Sequence, residues 1–274
     1  YAHIAGGHLG LIWSLAWTPL VLLGLKRAFD GSLLMAAVAG FALAIQFPMM
    51  IQIAYYTAGL GSAFWLWQIV DVALKNFRNK RIEWRSIGHL VAVYFIWLTS
   101  FILLGALWLF PLIELLPFNN RANFTLADAN LYSLPPSLLF SLFTPTQFQF
   151  PEWVMFLGVL PSAMSVLGIL ISKNTTRWLW GLLIQAALIY TLGASTPIFA
   201  LAFNFIPGMN LLRVPTRAWL FGGFAVALLA GFGVDALMRD DARAQLRQRQ
   251  PQLIALALIY FVGNIAALIG SWFI

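Results

Sequence analysis

Gly31 to Leu74 reads GSLLMAAVAGFALAIQFPMMIQIAYYTAGLGSAFWLWQIVDVAL. As a single helix this stretch would run for about 66 Å, roughly twice the hydrocarbon core of a bilayer. The chain therefore turns near Pro48, where Gln46 to Pro48 separate two spans, Gly31 to Phe47 and Met49 to Leu74. Similar apolar runs recur on both sides. They give eight expected spans in all, the others being Leu9 to Leu25, Ile87 to Pro111, Trp153 to Ile171, Trp178 to Gly193, Ala218 to Met238 and Leu253 to Ile274.

Composition supports that reading. Of 274 residues, 61% are hydrophobic and 9% charged, against roughly a quarter charged in a soluble domain. Such a stock cannot cover a water-soluble surface. The runs are continuous rather than alternating, so they are not the strands of an outer-membrane barrel, and helices satisfy the backbone in lipid. The expected fold class is all-α, a polytopic transmembrane bundle forming one domain over residues 1–274. The chain begins at Tyr1 and ends in Ser271-Trp272-Phe273-Ile274, which reads as an internal portion of a longer polypeptide.

The formal net charge of +7 does not point to nucleic acid, because the basic residues sit in short loops between the runs. With Lys26 and Arg27 in the cytoplasm, Lys75, Arg78, Lys80, Arg81, Arg85, Lys173, Arg177, Arg239, Arg243, Arg247 and Arg249 fall on the same face. That places 13 of 16 basic residues there and leaves Arg121, Arg213 and Arg217 opposite. This asymmetry marks cytoplasmic loops. Cysteine is absent, which excludes disulfides, a thiolate nucleophile and a cysteine metal site.

The connections with room for chemistry lie on the outer face. One covers 114–152, with Pro117, Pro135, Pro136, Pro145 and Pro151 as breakers and Tyr132, Phe140, Phe143, Phe148 and Phe150 suited to an interface. The other covers 194–217. Its apolar stretch, Pro197 to Ile206, reaches only about 15 Å and is expected to form a short re-entrant or interfacial helix. Ser195-Thr196-Pro197 opens it and Pro207-Gly208 closes it.

No acidic or basic side chain falls at mid-membrane, which argues against a proton pump or an ion-coupled carrier. Gln185 and Asn264 do fall there and read as interhelical hydrogen-bonding groups or, less simply, as substrate ligands. His3, His8 and His89 all stand at span ends, so a haem or chlorophyll protein finds no imidazole within its helices. His8 serves either as a group of an outer-face site or as a capping residue. Gly223, Ala227 and Gly231, at four-residue spacing inside an apolar span, read as a packing face rather than a nucleotide loop. No ligand set for a divalent metal is visible. The sequons at Asn123 and Asn174 are too short to carry weight, and the second falls on the cytoplasmic face.

The most informative stretch is PGMNLLRVPTR, Pro207 to Arg217. Arg213 and Arg217 stand on the face otherwise depleted of positive charge. Guanidinium groups suit bidentate phosphate binding, and here they would meet a lipid-linked phosphate at headgroup depth. The alternative is that they snorkel to headgroups or pair with Glu114 or Glu152. A helical spacing would put both arginines on one face.

Phe205 through Arg217, with the span ending Gly231-Phe232-Gly233-Val234-Asp235-Ala236-Leu237, resembles the YfhO-like family of bacterial membrane proteins. Gly7-His8-Leu9, Ala16-Trp17-Thr18-Pro19-Leu20, Ser141-Leu142-Phe143-Thr144-Pro145 and Pro151-Glu152 add to the likeness in order along the chain. The family is grouped with the GT-C glycosyltransferases. The resemblance implies transfer of a sugar from a polyprenyl-phosphate carrier on the outer face of the bacterial cytoplasmic membrane. It also implies a catalytic carboxylate in an outer loop upstream of Tyr1, so that Arg213, Arg217, His8 and Glu152 would be substrate-binding residues. Partners would be membrane lipids, the lipid-linked donor and further membrane subunits. A lipid or polysaccharide transporter and a non-catalytic membrane subunit remain the rival readings.

Overall fold

The apolar runs fold as helices. The computed structural model describes residues 7–80, 82–119, 124–144, 150–239, 241–255, 258, 259 and 262. Most of the eighth expected span lies outside them, as do Asn264, His3, Arg121 and Asn123. No strand occurs among the described residues. The chain divides into two compact units, Tyr1–Ala122 and Asn123–Ile274.

In the first unit, α1 (Leu9–Ala16) and α2 (Thr18–Phe29) are separated at Trp17. Then follow α3 (Leu33–Met49), α4 (Ile51–Asn79) and α5 (Trp84–Leu115), the last continued by a 3-10 turn at Leu116–Phe118. The reversal expected near Pro48 occurs at Met50, whose extended backbone separates α3 from α4. Pro48 itself is carried in the last turn of α3.

Close approach in this unit depends on small residues around Trp97, which is fully buried. A Cβ at Gly40 would strike the Trp97 carbonyl and Ser100, and one at Gly61 would strike the Trp97 ring. A polar cluster holds the helices at the break. Gln46 Nε2 donates to Ser14 O at 2.8 Å and lies 3.0 Å from Thr18 Oγ1 and 2.9 Å from Thr57 Oγ1, all four residues having no exposed surface. Gln46 therefore occupies the interhelical role expected of Gln185. Gln185 is exposed and bonds to no other helix among the described residues.

The second unit holds a short α6 (Leu126–Ala129), α7 (Val159–Ile171), α8 (Arg177–Thr191), α9 (Pro197–Phe205), α10 (Trp219–Leu237) and α11 (Ala242–Gln248). The span expected from Trp153 begins only at Val159. Gly158, at φ +97°, precedes it, a backbone conformation that disfavours side chains. The expected packing face is also shifted. Ala227 and Gly231 are exposed, and α10 instead crosses α7 at Gly233 and Leu229. There Gly168 and Gly233 leave room only for the facing carbonyls of Leu229 and Met164.

Among the described residues three helical stretches are long and apolar enough to cross a membrane: Leu9–Phe29, Trp84–Phe118 and Pro215–Leu237. Leu33–Met49 and Val159–Ile171 are shorter apolar helices. In the first unit the basic ends of α2, α4 and α5 gather around one cavity of about 450 Å³, lined by Asp30, Asp71, Lys75, Arg85 and His89 among others.

Candidate functional site

The connection before α7 is a built structure in the second unit. Thr125 caps α6: its hydroxyl accepts from Asp128 N at 3.2 Å, while the Asp128 carboxylate accepts from Thr125 N at 2.9 Å and Oγ1 at 2.6 Å. Those bonds, the side-chain one first, hold the Asp128 carboxyl below the usual carboxylate range. Past α6, Asn130 Oδ1 accepts from Ala194 N at 2.6 Å, and Leu134 N donates to Thr191 O at 2.9 Å. These bonds fasten the segment to the end of α8. Gly193, at φ +56°, permits the approach, since a Cβ there would collide with Asn130 and Ser133.

An apolar core closes beneath it. Leu134, Leu138 and Met155 pack with Ala187 and Trp219, and Trp219 Nε1 donates to Met155 O at 2.9 Å. Above the core, Phe150 stacks on Tyr132 with ring centres 4.5 Å apart and meets Trp153 edge-on at 5.4 Å. Trp153 Nε1 donates to Tyr132 O at 3.4 Å.

Glu152 lies inside this assembly. Its side chain is 1% exposed and accepts from Arg217 Nε at 3.2 and 3.3 Å, and from Thr216 Oγ1 at 3.4 Å. Thr216 Oγ1 also lies 3.3 Å from Tyr132 O. A buried carboxylate needs such compensation, because its desolvation is otherwise prohibitive. Of the four residues expected at the site, Glu152 and Arg217 are thus brought together. Thr216, buried beside them, carries a role that its sequence context did not announce.

Arg213 is placed differently. Leu212 and Val214 are 5% and 3% exposed while Arg213 between them is exposed. The condition for a shared helical face fails: Leu212 is extended, Val214 sits at φ +61°, and Pro215–Ala218 is a 3-10 turn. Arg213 and Arg217 are not successive turns of one helix. A β-branched residue at positive φ costs about 1–3 kcal/mol and persists only where its surroundings impose it. Here the burial of Leu212, Val214, Pro215 and Thr216 does so.

Upstream of Arg213, α9, nine residues between Thr196 and Ile206, packs against the 3-10 turn Met209–Leu211. Phe199 and Ala202 pack inward while Ile198, Leu201, Phe205 and Ile206 are 47%, 55%, 77% and 46% exposed. His8 belongs to the first unit, at the N-cap of α1, and makes no side-chain capping bond. Glu114 is exposed in α5 of that unit. Among the described residues no three His, Asp or Glu side chains come together as metal ligands.

Comparison with protein-family models, curated proteins and solved structures finds no match for this chain. The class that the fold defines is an all-α protein with, among the described residues, three helices long and apolar enough to span a bilayer.

Proposed function

We propose that the chain is a membrane transferase that takes a sugar from a polyprenyl-phosphate-linked donor on the outer face of the bacterial cytoplasmic membrane. The observation that carries this is Arg213, turned outward from an otherwise buried segment by the left-handed Val214. The turn Met209–Leu211 that precedes it packs against a short helix whose exposed residues, Asn204 apart, are apolar. An apolar surface for the carrier chain and a guanidinium for its phosphate suit an amphiphilic donor. The ion pair of Glu152 with Arg217 fixes the segment that carries Arg213. In this reading Arg213 contacts the phosphate and Arg217 positions it. The general base is not Glu152, whose carboxylate is committed to Arg217 and Thr216.

The test is donor affinity and sugar transfer by the full-length protein in liposomes, with Arg213→Ala and Arg213→Lys. Loss of a charge-assisted contact of about 1.5–3 kcal/mol weakens donor binding by roughly tenfold to a hundredfold or more. Lys restores part of it, keeping charge without the fork. Unchanged affinity and transfer would make Arg213 an interfacial anchor.

The mutual neutralisation of Glu152 and Arg217 favours a second reading, a non-catalytic membrane subunit in which these groups only hold the fold. Absence of transfer by the full-length wild-type protein with any polyprenyl-linked sugar would favour it over the transferase.

A further inference from the structure

The C-terminal end of α7 is closed by two arginines from other parts of the chain. Arg177, the first residue of α8, donates from Nη1 to Ser172 O. Arg239, just past α10, donates from Nη2 to Ile171 O at 3.1 Å. The two carbonyls belong to consecutive residues, whose Cα atoms lie about 3.8 Å apart. Both guanidinium groups therefore hang from neighbouring points of one helix end.

Helix capping accounts for one nitrogen of each, since exposed carbonyls at a C-terminus attract cations. It does not account for the Nε atoms. Both are shielded from solvent and neither has a partner among the described residues, although a buried donor without an acceptor is costly. More positive charge is close by. Lys173 follows the same helix end, and Arg249 adds like-charge repulsion to the desolvation that already disfavours the Arg177 cation. Of the described acids in this region, Asp241 is paired with Lys173 at 2.6 Å and Asp235 is exposed on the last turn of α10.

We propose that Arg177 and Arg239 jointly bind a phosphate group at the C-terminal end of α7, on the face that the distribution of basic residues assigns to the cytoplasm. A phosphate offers several acceptor oxygens to two guanidinium forks and supplies counter-charge. Its source is either the headgroup of an anionic membrane lipid or a free phosphate. This site is separate in sequence and in helix end from the one containing Glu152 and Arg217, so it stands or falls independently of the transferase reading.

The full-length protein, purified in a neutral detergent, is titrated with dioctanoyl phosphatidylglycerol, dioctanoyl phosphatidylcholine and inorganic phosphate, and binding is followed by calorimetry. Phosphatidylglycerol binds more tightly than phosphatidylcholine. Arg177→Gln and Arg239→Gln each weaken it by about tenfold or more. Arg249→Gln, which leaves both caps of α7 intact, weakens it by roughly fivefold and decides the matter if the capping variants fail to fold. Binding of inorganic phosphate as well would show that the group alone suffices, and binding of phosphatidylglycerol only would assign the site to lipid. No preference for phosphatidylglycerol together with no phosphate binding would overturn the proposal. So would binding that Arg249→Gln and the folded capping variants leave unchanged.

Discussion

Glu152 and Arg217 stand 65 positions apart in sequence and meet as an ion pair at 3.2 Å, with side chains 1% and 16% exposed. The pair joins the connection before α7 to the segment that enters α10. Removing one partner leaves the other charge shielded from water, which costs about 3–5 kcal/mol at a buried site. Arg217→Ala and Glu152→Ala are each expected to destabilise the protein by about 3 kcal/mol. The double variant should cost less than the sum by more than about 1 kcal/mol. Denaturant unfolding in detergent measures all three; strictly additive losses would mean that the pair does not hold these segments together.

The crossing of α7 and α10 separates glycines that matter from those that do not. A methyl group at Gly168 or Gly233 meets the facing backbone carbonyl, whereas one at Gly231 meets nothing within 4 Å. Gly168→Ala and Gly233→Ala are expected to lose about 1–3 kcal/mol or more through overpacking. Gly231→Ala should be neutral or gain up to about 1 kcal/mol from helix propensity. The same unfolding assay ranks them, and equal effects at the three positions would contradict the crossing.

Gln46→Leu removes the donor that faces Ser14 O, Thr18 and Thr57. A loss of about 1–2 kcal/mol is expected, in keeping with hydrogen bonds between membrane helices. Gln185→Leu, at an exposed position, should change stability by less than about 0.5 kcal/mol. A larger loss at Gln185 than at Gln46 would reverse the assignment.

Thr125 and Asp128 form a reciprocal cap whose carboxyl titrates below the usual range. A depressed folded-state pKa contributes stability that is complete above the unfolded carboxyl value and is lost as pH falls through the lowered one. The start of α6 should therefore stay capped at mildly acidic pH and fray only below the ordinary carboxylate range. The Asp128 carboxyl shift in NMR follows this directly; titration at or above the ordinary value would show that the cap is not formed.

The sequence made the helices legible where long apolar runs end at a turn. Gly31 to Phe47 was expected and Leu33–Met49 forms; Pro197 to Ile206 was expected as a short helix and Pro197–Phe205 forms. Boundaries failed where tertiary bonds compete with helix formation. Residues 154–158 are apolar enough to continue a helix, yet Met155 O is engaged by Trp219 and Gly158 adopts positive φ. In the residues alone, pairing of Arg217 with Glu152 stands beside phosphate binding, snorkelling to headgroups and pairing with Glu114. The choice between a bound phosphate and an internal carboxylate depends on a fold that brings positions 152 and 217 together, which spacing does not encode. Gln46 was visible only as a break between runs, because its partners Ser14, Thr18 and Thr57 come from α1, α2 and α4.

Donor binding at Arg213 is measured most directly by photo-crosslinking of the full-length protein in liposomes with a polyprenyl phosphate that carries a photoreactive group next to the phosphate. Placement of the donor phosphate at Arg213 predicts adducts within 205–217, reduced by Arg213→Ala and competed by unlabelled polyprenyl-linked sugar. Adducts confined to other segments, or labelling of 205–217 that neither the substitution nor the competitor reduces, would contradict it.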